Sequence, residues 1–303
     1  AGVFIPDSGT ITIRDRQVFN SGLEINLPPG ERHIGYVPQT HALFPHLPIA
    51  ENIAFPMLKH STLADADIQR RVDELMDLLS LTGVADKLPD RVDAVMRGRA
   101  AVARALALDP DLLLMDDPYA TLDDATRRDA RNDFADLRRS LGIPCLFATV
   151  ELEEAYEIGD RIALIDDGRL LQIDAPRTLL LRPASRKVAE LVRSVNVIPG
   201  EISSVTATSI NVTTALGTLQ VEGYGREGEL VDLVIRPEHV RVVETSADNP
   251  PSENVLDLKV TGQDRHGDVI TLTLSAIDDA VDQTIQMFLS EASFRDLGET
   301  GNR

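Results

Sequence analysis

Short blocks of hydrophobic and polar residues follow one another over the first two-thirds of the chain, and their period changes from block to block. Thr10–Ile13 alternates polar and apolar residues after a Pro-Asp-Ser-Gly turn, which is typical of a half-exposed strand. Between about residues 64 and 81 apolar side chains recur at helical spacing, so we predict an amphipathic helix inside a helical insert of about 50–108. The apolar run Leu112–Met115 is too short for a helix and predicts a strand buried on both faces of a sheet.

Strand and helix patterns keep alternating after that run. We predict a charged helix from about 123 to 141, a buried strand over Cys145–Thr149 and a short helix over Glu151–Gly159. Two further strands are predicted over Arg161–Ile165 and Arg169–Ile173. A βαβ order of this kind predicts a parallel sheet with helices on its faces, so the fold class is α/β.

Near residue 195 the pattern changes to short runs in which every second residue is apolar. Turn residues such as Asn249-Pro250-Pro251-Ser252 separate these runs, which predicts a small all-β domain, a barrel or a sandwich. We therefore expect two domains, 1–195 and 196–303. The runs are Ile210/Val212, Leu219/Val221, Val231/Leu233/Ile235, Val240/Val242, Leu256/Leu258/Val260, Ile270/Leu272/Leu274 and Ile285/Met287/Leu289.

Composition narrows the class of protein. The formal net charge of −19 argues against nucleic acid or an anionic membrane surface as a main partner. The single cysteine, Cys145, excludes an internal disulfide. No apolar run has the length of a membrane span and no signal peptide opens the chain, so we expect a cytoplasmic protein. Because residue 1 is Ala rather than Met, we also expect a piece of a longer protein.

Candidate chemistry lies where the Leu112–Met115 run ends, in Asp116 and Asp117 followed by Pro118. A carboxylate at the C-terminal end of a buried parallel strand lies where open α/β sheets bind ligands. In phosphoryl-transfer proteins such a carboxylate holds the metal or orients the attacking water. These two aspartates are therefore the first candidates for a functional site.

The flanking residues add a family resemblance. The order ARALALDPDLLLMDDP, with Asp123 seven residues after Asp116, resembles the Walker B strand and D-loop of ABC-type ATP-binding subunits. The segments PDSG (6–9), RHIGYVPQ (32–39) and LFPHL (43–47) extend the resemblance over the first two-thirds of the chain. It implies a P-loop-NTPase-like ABC nucleotide-binding domain, incomplete at its N-terminus. NVIPGE (196–201) and IRPEH (235–239) resemble the accessory TOBE-type β-domains of importer ATPases.

The resemblance implies a role for individual residues. Asp116 matches the Walker B aspartate that holds Mg²⁺, and Asp117 stands where relatives place the glutamate that polarises the attacking water. Gln39 matches the Q-loop glutamine, a metal and water contact, although it could also be an ordinary surface glutamine. Asp123 matches the D-loop aspartate or is a helix N-cap. We expect Asp116 on a central strand, with Gln39 and Val150 following its two neighbours.

Several positions depart from the family pattern. No glycine precedes a lysine, so the phosphate-binding loop is absent from these 303 residues. In relatives that loop would lie just before Ala1. The signature motif LSGGQ corresponds to Val92–Met96, with Asp93 where a phosphate would dock. Val150 replaces the switch histidine and cannot hydrogen-bond a phosphate. We therefore expect weak binding of ATP and Mg²⁺ and little hydrolysis.

The resemblance supports two functions. The first is the energy-coupling ATP-binding subunit of an importer of molybdate, tungstate or sulfate, with spermidine, ferric-iron and sugar importers remaining open. Such a subunit would form a homo- or heterodimer and dock on membrane-spanning permease subunits at the inner face of the cell membrane. Thr40–Phe55 matches the docking surface, although Phe44, Pro45 and Leu47 could be core residues. The second function is a non-catalytic regulatory or scaffold subunit. A DNA-repair ATPase of the same superfamily fits poorly, because no sustained heptads are present.

Overall fold

Two compact units, 1–160 and 161–303, make up the chain. The predicted domain boundary between residues 195 and 196 stays a prediction. The computed structural model describes residues 1–120, 122–193, 196–243, 254–278 and 280–294.

The first unit contains a small antiparallel sheet, a parallel sheet and five helices. The antiparallel sheet consists of β1 (Thr10–Ile13), β2 (Arg16–Asn20) and β3 (Ile25–Asn26). The parallel sheet consists of β4 (Ile34–Val37), β5 (Leu112–Asp116) and β6 (Cys145–Ala148). The helices are α1 (Ile49–His60), α2 (Asp65–Leu78), α3 (Ala94–Leu106), α4 (Asp124–Leu141) and α5 (Leu152–Ile158).

The parallel sheet has the strand order β4-β5-β6, so β5 is central, as predicted. Helices α1 to α3 lie in the chain between β4 and β5, and α4 lies between β5 and β6. Strand β4 approaches helix α3 closely at Gly35, where an added Cβ would lie 2.6 Å from the carbonyl oxygen of Ala105. A glycine is therefore needed at this position for the helical insert to pack against the sheet.

The helical predictions are confirmed. Helix α2 buries Ile68, Val72, Leu75 and Met76, which recur at helical spacing on one face. Helix α4 ends at Gly142, whose φ of 63° lies in the left-handed region that glycine adopts most easily.

The two faces of the parallel sheet differ in burial. Val37, Leu113 and Met115 are buried in the core formed with the helices. On the opposite face Tyr36 is 41% exposed and Leu146 is 62% exposed. The prediction of strands buried on both faces is therefore wrong for β6, and β5 is only half-buried at Leu112 and Leu114. The sequence shows how apolar a strand is, but not whether both of its faces are covered.

The second unit begins with β7 (Ile162–Asp166) and β8 (Arg169–Asp174), which form their own antiparallel pair. The prediction that they extend the parallel sheet is wrong. Only Asp167 and Gly168 connect the two strands, and both have positive φ, as in a type I′ hairpin turn. A parallel pairing would need a crossover of a dozen residues or more.

The remaining strands of the second unit form two antiparallel sheets that share one core, and over the described residues none of them pairs with the parallel sheet. The predicted alternating runs are confirmed as strands except Leu256, which lies before β13, and Val240/Val242, which follows a short 3₁₀ turn. Asn249–Ser252 lies outside the described residues. The sheets are not joined into a closed barrel over the ranges that the structure describes. Helices α6 (Pro176–Leu181) and α7 (Arg186–Leu191) precede β9 (Asn196–Val205), β10 (Ser209–Thr214), β11 (Gly217–Glu222), β12 (Leu230–Ile235), β13 (Leu258–His266), β14 (Val269–Ala276) and β15 (Thr284–Ser290).

Asn196 links the two sheets of this unit. Its side chain is buried, donates a hydrogen bond to the carbonyl of Gln286 (2.8 Å) and accepts one from the Gln286 amide (2.6 Å). Because the amide side chain matches one donor and one acceptor of β15, it pairs β9 with β15 across the core.

Within the described part of the chain, no helix is long and apolar enough to cross a membrane.

Candidate functional site

Three strand ends meet at one edge of the parallel sheet. Val37 pairs with Met115, and Asp116 pairs with Ala148. Gln39 and Val150 each follow two residues after these partners, so both are at the same edge as Asp116. The prediction that Gln39 and Val150 follow the neighbours of the Asp116 strand is confirmed. Their chemical roles stay predictions.

Asp116 is exposed at the end of β5 and has one polar neighbour that the sequence did not indicate. The phenol of Tyr36 donates a hydrogen bond to its Oδ2 at 3.2 Å. Desolvation, followed by the negative charge of Asp116, raises the pKa of Tyr36 above its ordinary value. The pairing of Tyr36 with Leu114 in the register brings the phenol to this edge. Asp116 thus has a second oxygen, Oδ1, without this contact and open to a cation.

Asp117 turns the chain away from the sheet. Its φ of 44° lies in the left-handed region, and its amide donates a hydrogen bond to the carbonyl of Ala148 at 2.8 Å. Partial burial raises the pKa of its carboxyl group, Arg127 opposes this shift, and the charges of Asp116 and Glu151 add to it. The second carboxylate of the pair is therefore held close to other negative charges.

The buried carboxylate of Glu154, on which the charge of Asp117 acts, was not predicted. Glu154 on α5 is 1% exposed and accepts a hydrogen bond from the Thr149 hydroxyl at 2.6 Å. Its other oxygen lies 3.8 Å from the Arg127 guanidinium. Burial raises the pKa of Glu154, and Asp117 contributes to the shift, whereas Thr149 and Arg127 oppose it. Arg127 therefore connects α4 to the segment that follows β6. The pattern of apolar and charged residues in α5 did not predict that Glu154 would be buried next to Arg127.

Asp93 begins α3. Its Oδ1 accepts a hydrogen bond from the Met96 amide at 2.8 Å, which makes it the N-cap of that helix. The first turn of a helix offers unpaired N–H groups to an anion. Here a carboxylate of the chain occupies that turn, and its charge would repel a phosphate. The geometry thus gives Asp93 a structural role, and its predicted place in a nucleotide site stays a prediction.

Asp123 is also an N-cap, at the start of α4. Its carboxylate accepts hydrogen bonds from the Thr126 amide (3.1 Å) and the Thr126 hydroxyl (2.8 Å). These hydrogen bonds lower the pKa of Asp123 below its ordinary value. The structure shows Asp123 as a helix N-cap, and its role as a D-loop aspartate stays a prediction.

Gln39 and Val150 are both at the surface, and Val150 is 87% exposed. His41, two residues after Gln39, is buried and was not among the predicted site residues. The sequence analysis assigned this segment to a docking surface, so it did not predict a buried histidine there. The exposed Val150 offers no polar atom beyond its backbone to a ligand at this edge.

The residues at this edge fit a metal ion better than a triphosphate. Asp116 offers a carboxylate oxygen and Gln39 an amide oxygen, the ligand types that Mg²⁺ prefers. Over the described residues no group of three or more His, Cys, Asp or Glu side chains could hold a metal by itself. No Gly-Lys pair occurs in the 303 residues given, and Asp93 occupies the start of α3. We therefore derive no hydrolytic step from these residues.

Comparison with known proteins identifies the family. A family model described as ABC transporter matches residues 1–120. The Fe(3+) ions import ATP-binding protein FbpC of Haemophilus influenzae is 32% identical over 250 residues, covering 82% of this chain and 69% of that protein. This chain belongs to the ABC transporter family of ATP-binding proteins. The mixed α/β unit described above is thus an ABC ATPase domain.

Other members of the ABC family differ in what their names say they import. The molybdate/tungstate import ATP-binding protein WtpC of Thermococcus kodakarensis is 38% identical over 201 residues, covering 66% of this chain and 58% of that protein. The spermidine/putrescine import ATP-binding protein PotA of Ruegeria pomeroyi is 34% identical over 243 residues, covering 80% of this chain and 64% of that protein. The chain thus spans from 58% to 69% of the length of these relatives.

Proposed function

We propose that this chain is the energy-coupling ATP-binding subunit of an ABC importer. It acts as a dimer at the inner face of the cell membrane and docks on permease subunits through Thr40–Phe55. The observation that carries the proposal is the meeting of Gln39, Asp116 and Val150 at one sheet edge. The import ATP-binding names of the relatives support it. Reconstitution with permease subunits of the same operon tests it, because the proposal requires a stable complex that Phe44→Asp disrupts and His60→Asp leaves intact.

For the imported substrate we propose an oxyanion, molybdate, tungstate or sulfate. The support is the 38% identity to a molybdate/tungstate import protein. Iron and polyamine import proteins at 32% and 34% identity supply the competing substrates. Proteoliposomes that contain the reconstituted transporter should take up molybdate or sulfate in preference to spermidine and Fe³⁺. Preferential uptake of spermidine or iron would reject the oxyanion and leave the importer function standing.

Catalytically, we propose that Asp116 and Gln39 hold Mg²⁺ and that Asp117 replaces the usual glutamate, with little turnover. The aspartate side chain is one methylene shorter, and a misplacement of about 1 Å can cost on the order of 100-fold in rate. Loss of one preorganised donor costs a further 100- to 1,000-fold, roughly. Steady-state ATPase activity of the 303-residue chain should be negligible because it has no Gly-Lys phosphate loop, and Asp117→Glu, Val150→His and LSGGQ at 92–96 together should not restore it without that loop. Wild-type turnover like that of intact importer ATPases would refute this.

A non-catalytic scaffold subunit is the second candidate, and one observation favours it. The carboxylate of Asp93 caps the helix at which a partner's nucleotide would dock. A scaffold would still bind the permease but show no ATP-dependent change. Titration with a fluorescent ATP analogue, with the permease complex present, separates the two functions. Saturable Mg²⁺-dependent binding supports the ATP-binding subunit, and its absence in an intact complex supports the scaffold.

A further inference from the structure

The segment 38–48, between β4 and α1, is held at several points. The buried side chain of Asn52 on α1 accepts a hydrogen bond from the Phe44 amide at 2.8 Å and donates to the Phe44 and Leu47 carbonyls at 3.1 and 2.9 Å. A single amide group thus fixes the middle of the segment to the helical insert. We refer to residues 38–48 as the 38–48 loop.

Helix α3 holds the same loop from another side. The guanidinium of Arg104 donates hydrogen bonds to the His41 and Ala42 carbonyls at 2.9 and 2.7 Å. Its central carbon lies 5.3 Å from the ring centroid of Phe44, a cation–π geometry. The Phe44 and Phe55 rings pack at 4.4 Å. A displacement of these half-buried rings therefore acts directly on the backbone of His41.

The His41 side chain extends in the opposite direction, to the exit of β5. Its Nε2 lies 3.0 Å from the carbonyl oxygen of Pro118. A carbonyl can only accept, so Nε2 carries the proton. Burial lowers the pKa of His41; the bond to Pro118 opposes the shift and the charge of Arg97 adds to it. Arg97 and Arg104 of α3 are the charged groups that face this histidine. The hydrogen bond from Nε2–H to the Pro118 carbonyl therefore joins the 38–48 loop to the turn after β5.

From this chain of contacts we infer that His41 is a positioning residue that transmits movement of the 38–48 loop to the turn carrying Asp117. The inference rests on the proposed function only for the identity of the loop as the docking surface. When a partner displaces Phe44, Arg104 carries the change to the His41 backbone. The imidazole then pulls on or releases Pro118, directly beside the Asp117 carboxylate. Coupling of this kind has to be shown energetically, not by proximity alone.

Hydrogen exchange of the turn measures the coupling in this chain without nucleotide. The reporters are the amides of Asp117, Ala120 and Leu122, which bond to the carbonyls of Ala148, Asp117 and Tyr119. His41→Leu keeps most of the ring volume and loses the donor, whereas His41→Gln keeps an N–H donor. Both side chains must adopt the same φ of 60°. His60→Leu, at the exposed end of α1, is the matched control.

We expect exchange at the reporters to accelerate on the order of 10-fold in His41→Leu and to stay near the wild-type rate in His41→Gln and His60→Leu. A role in packing alone predicts the reverse order, with Leu tolerated and Gln disruptive, and would overturn the inference. A uniform increase that includes Leu113 and Met115 of β5 would also overturn it, because general destabilisation would then explain the result.

A double-mutant cycle tests the transmission itself. Phe44→Ala should accelerate exchange at the three reporters in the wild-type background and have no further effect in the His41→Leu background. Additive effects would show that the loop and the turn are independent, contrary to the inference. Failure of the chain to bind ATP or a permease would remove the proposed function but leave this cycle unchanged, so the two failures can be distinguished.

Discussion

Strand-end and helix-start aspartates of the candidate site use their carboxylates differently. Asp116 is the last residue of β5 and accepts a hydrogen bond from the Tyr36 phenol on Oδ2, and Asp117 follows it in the turn. Asp93 and Asp123 begin α3 and α4, and each carboxylate accepts a hydrogen bond from the amide three residues on. The same residue type thus ends a strand, exposed, at Asp116 and caps a helix at Asp93 and Asp123.

This contrast separates an exposed carboxylate at a strand end from carboxylates that cap helices. An exposed aspartate at a strand end suits a divalent cation. A helix start capped by its own aspartate has one N–H fewer and one negative charge more for a phosphate to meet. Under the function proposed above, Asp116 is therefore better suited to a cation than the start of α3 is to a phosphate. The next three predictions test the strand-end aspartates, the helix-start aspartates, and then the two kinds together.

The largest effect is expected for metal binding. Asp116→Asn should weaken binding of Mn²⁺, used as a probe for Mg²⁺, by about 1,000-fold, because two unit charges 4 Å apart near a surface attract by roughly 4 kcal/mol and about 1.4 kcal/mol is a factor of ten. Electron paramagnetic resonance of free Mn²⁺ provides the titration. The matched control, Asp123→Asn, should leave the affinity unchanged. Equal affinities in wild type and Asp116→Asn would place the metal elsewhere.

A smaller effect is expected for the cap of α3. Asp93→Ala should lower the free energy of unfolding by about 1 kcal/mol, because the Met96 amide loses its acceptor. Asp93→Ser restores an acceptor without the charge and should recover most of that stability. Urea denaturation of the three proteins gives the values. If Asp93→Ala is as stable as the wild type, the carboxylate is not acting as a cap.

The smallest effect is expected in the pH dependence of stability, to which Asp117 and Asp123 should contribute with opposite signs. The pKa of Asp117 is raised above its ordinary value of 3.8, so the folded state holds more protons there and loses stability as pH rises through that range. Asp117→Asn should therefore be more stable than the wild type at pH 7, and the gain should shrink near pH 3.

Asp123 has the opposite shift, a lowered pKa, so its stabilisation is present above pH 3.8 and lost as pH falls through the folded-state pKa. Asp123→Ala should be less stable than the wild type at pH 7, with a smaller deficit in acid. Unfolding curves at several pH values compare the two variants. Slopes of the same sign for both would contradict the contrast between strand-end and helix-start aspartates.

Much of the fold could be predicted because the decisive signals are local. Apolar spacing identified α2, a four-residue run identified β5, and Asp123 was recognised as a possible cap of α4, whereas the cap at Asp93 was not predicted. The edge where Gln39, Asp116 and Val150 meet was predicted from the short apolar run before each residue together with the family resemblance. Parallel strands present their C-terminal ends together.

What escaped prediction depends on contacts between distant residues. The bonds from Tyr36 to Asp116 and from His41 to Pro118 join positions 80 and 77 residues apart. The burial of Glu154 depends on how α4 and α5 pack. The hairpin of β7 and β8 is a different case, because Asp167-Gly168 is a recognisable turn signal that the assumed βαβ order overrode.

The half-open face of the parallel sheet has a consequence for how this chain behaves in solution. Tyr36, Leu114 and Leu146 present apolar surface beside β6, a strand at the edge of its three-stranded sheet. Unpaired strand edges next to apolar side chains are templates for self-association, which a net charge of −19 counteracts at low ionic strength. Salt that screens this charge removes the protection. Colloidal stability of the 303-residue chain should therefore fall with added salt, the reverse of the salting-in seen for many acidic proteins.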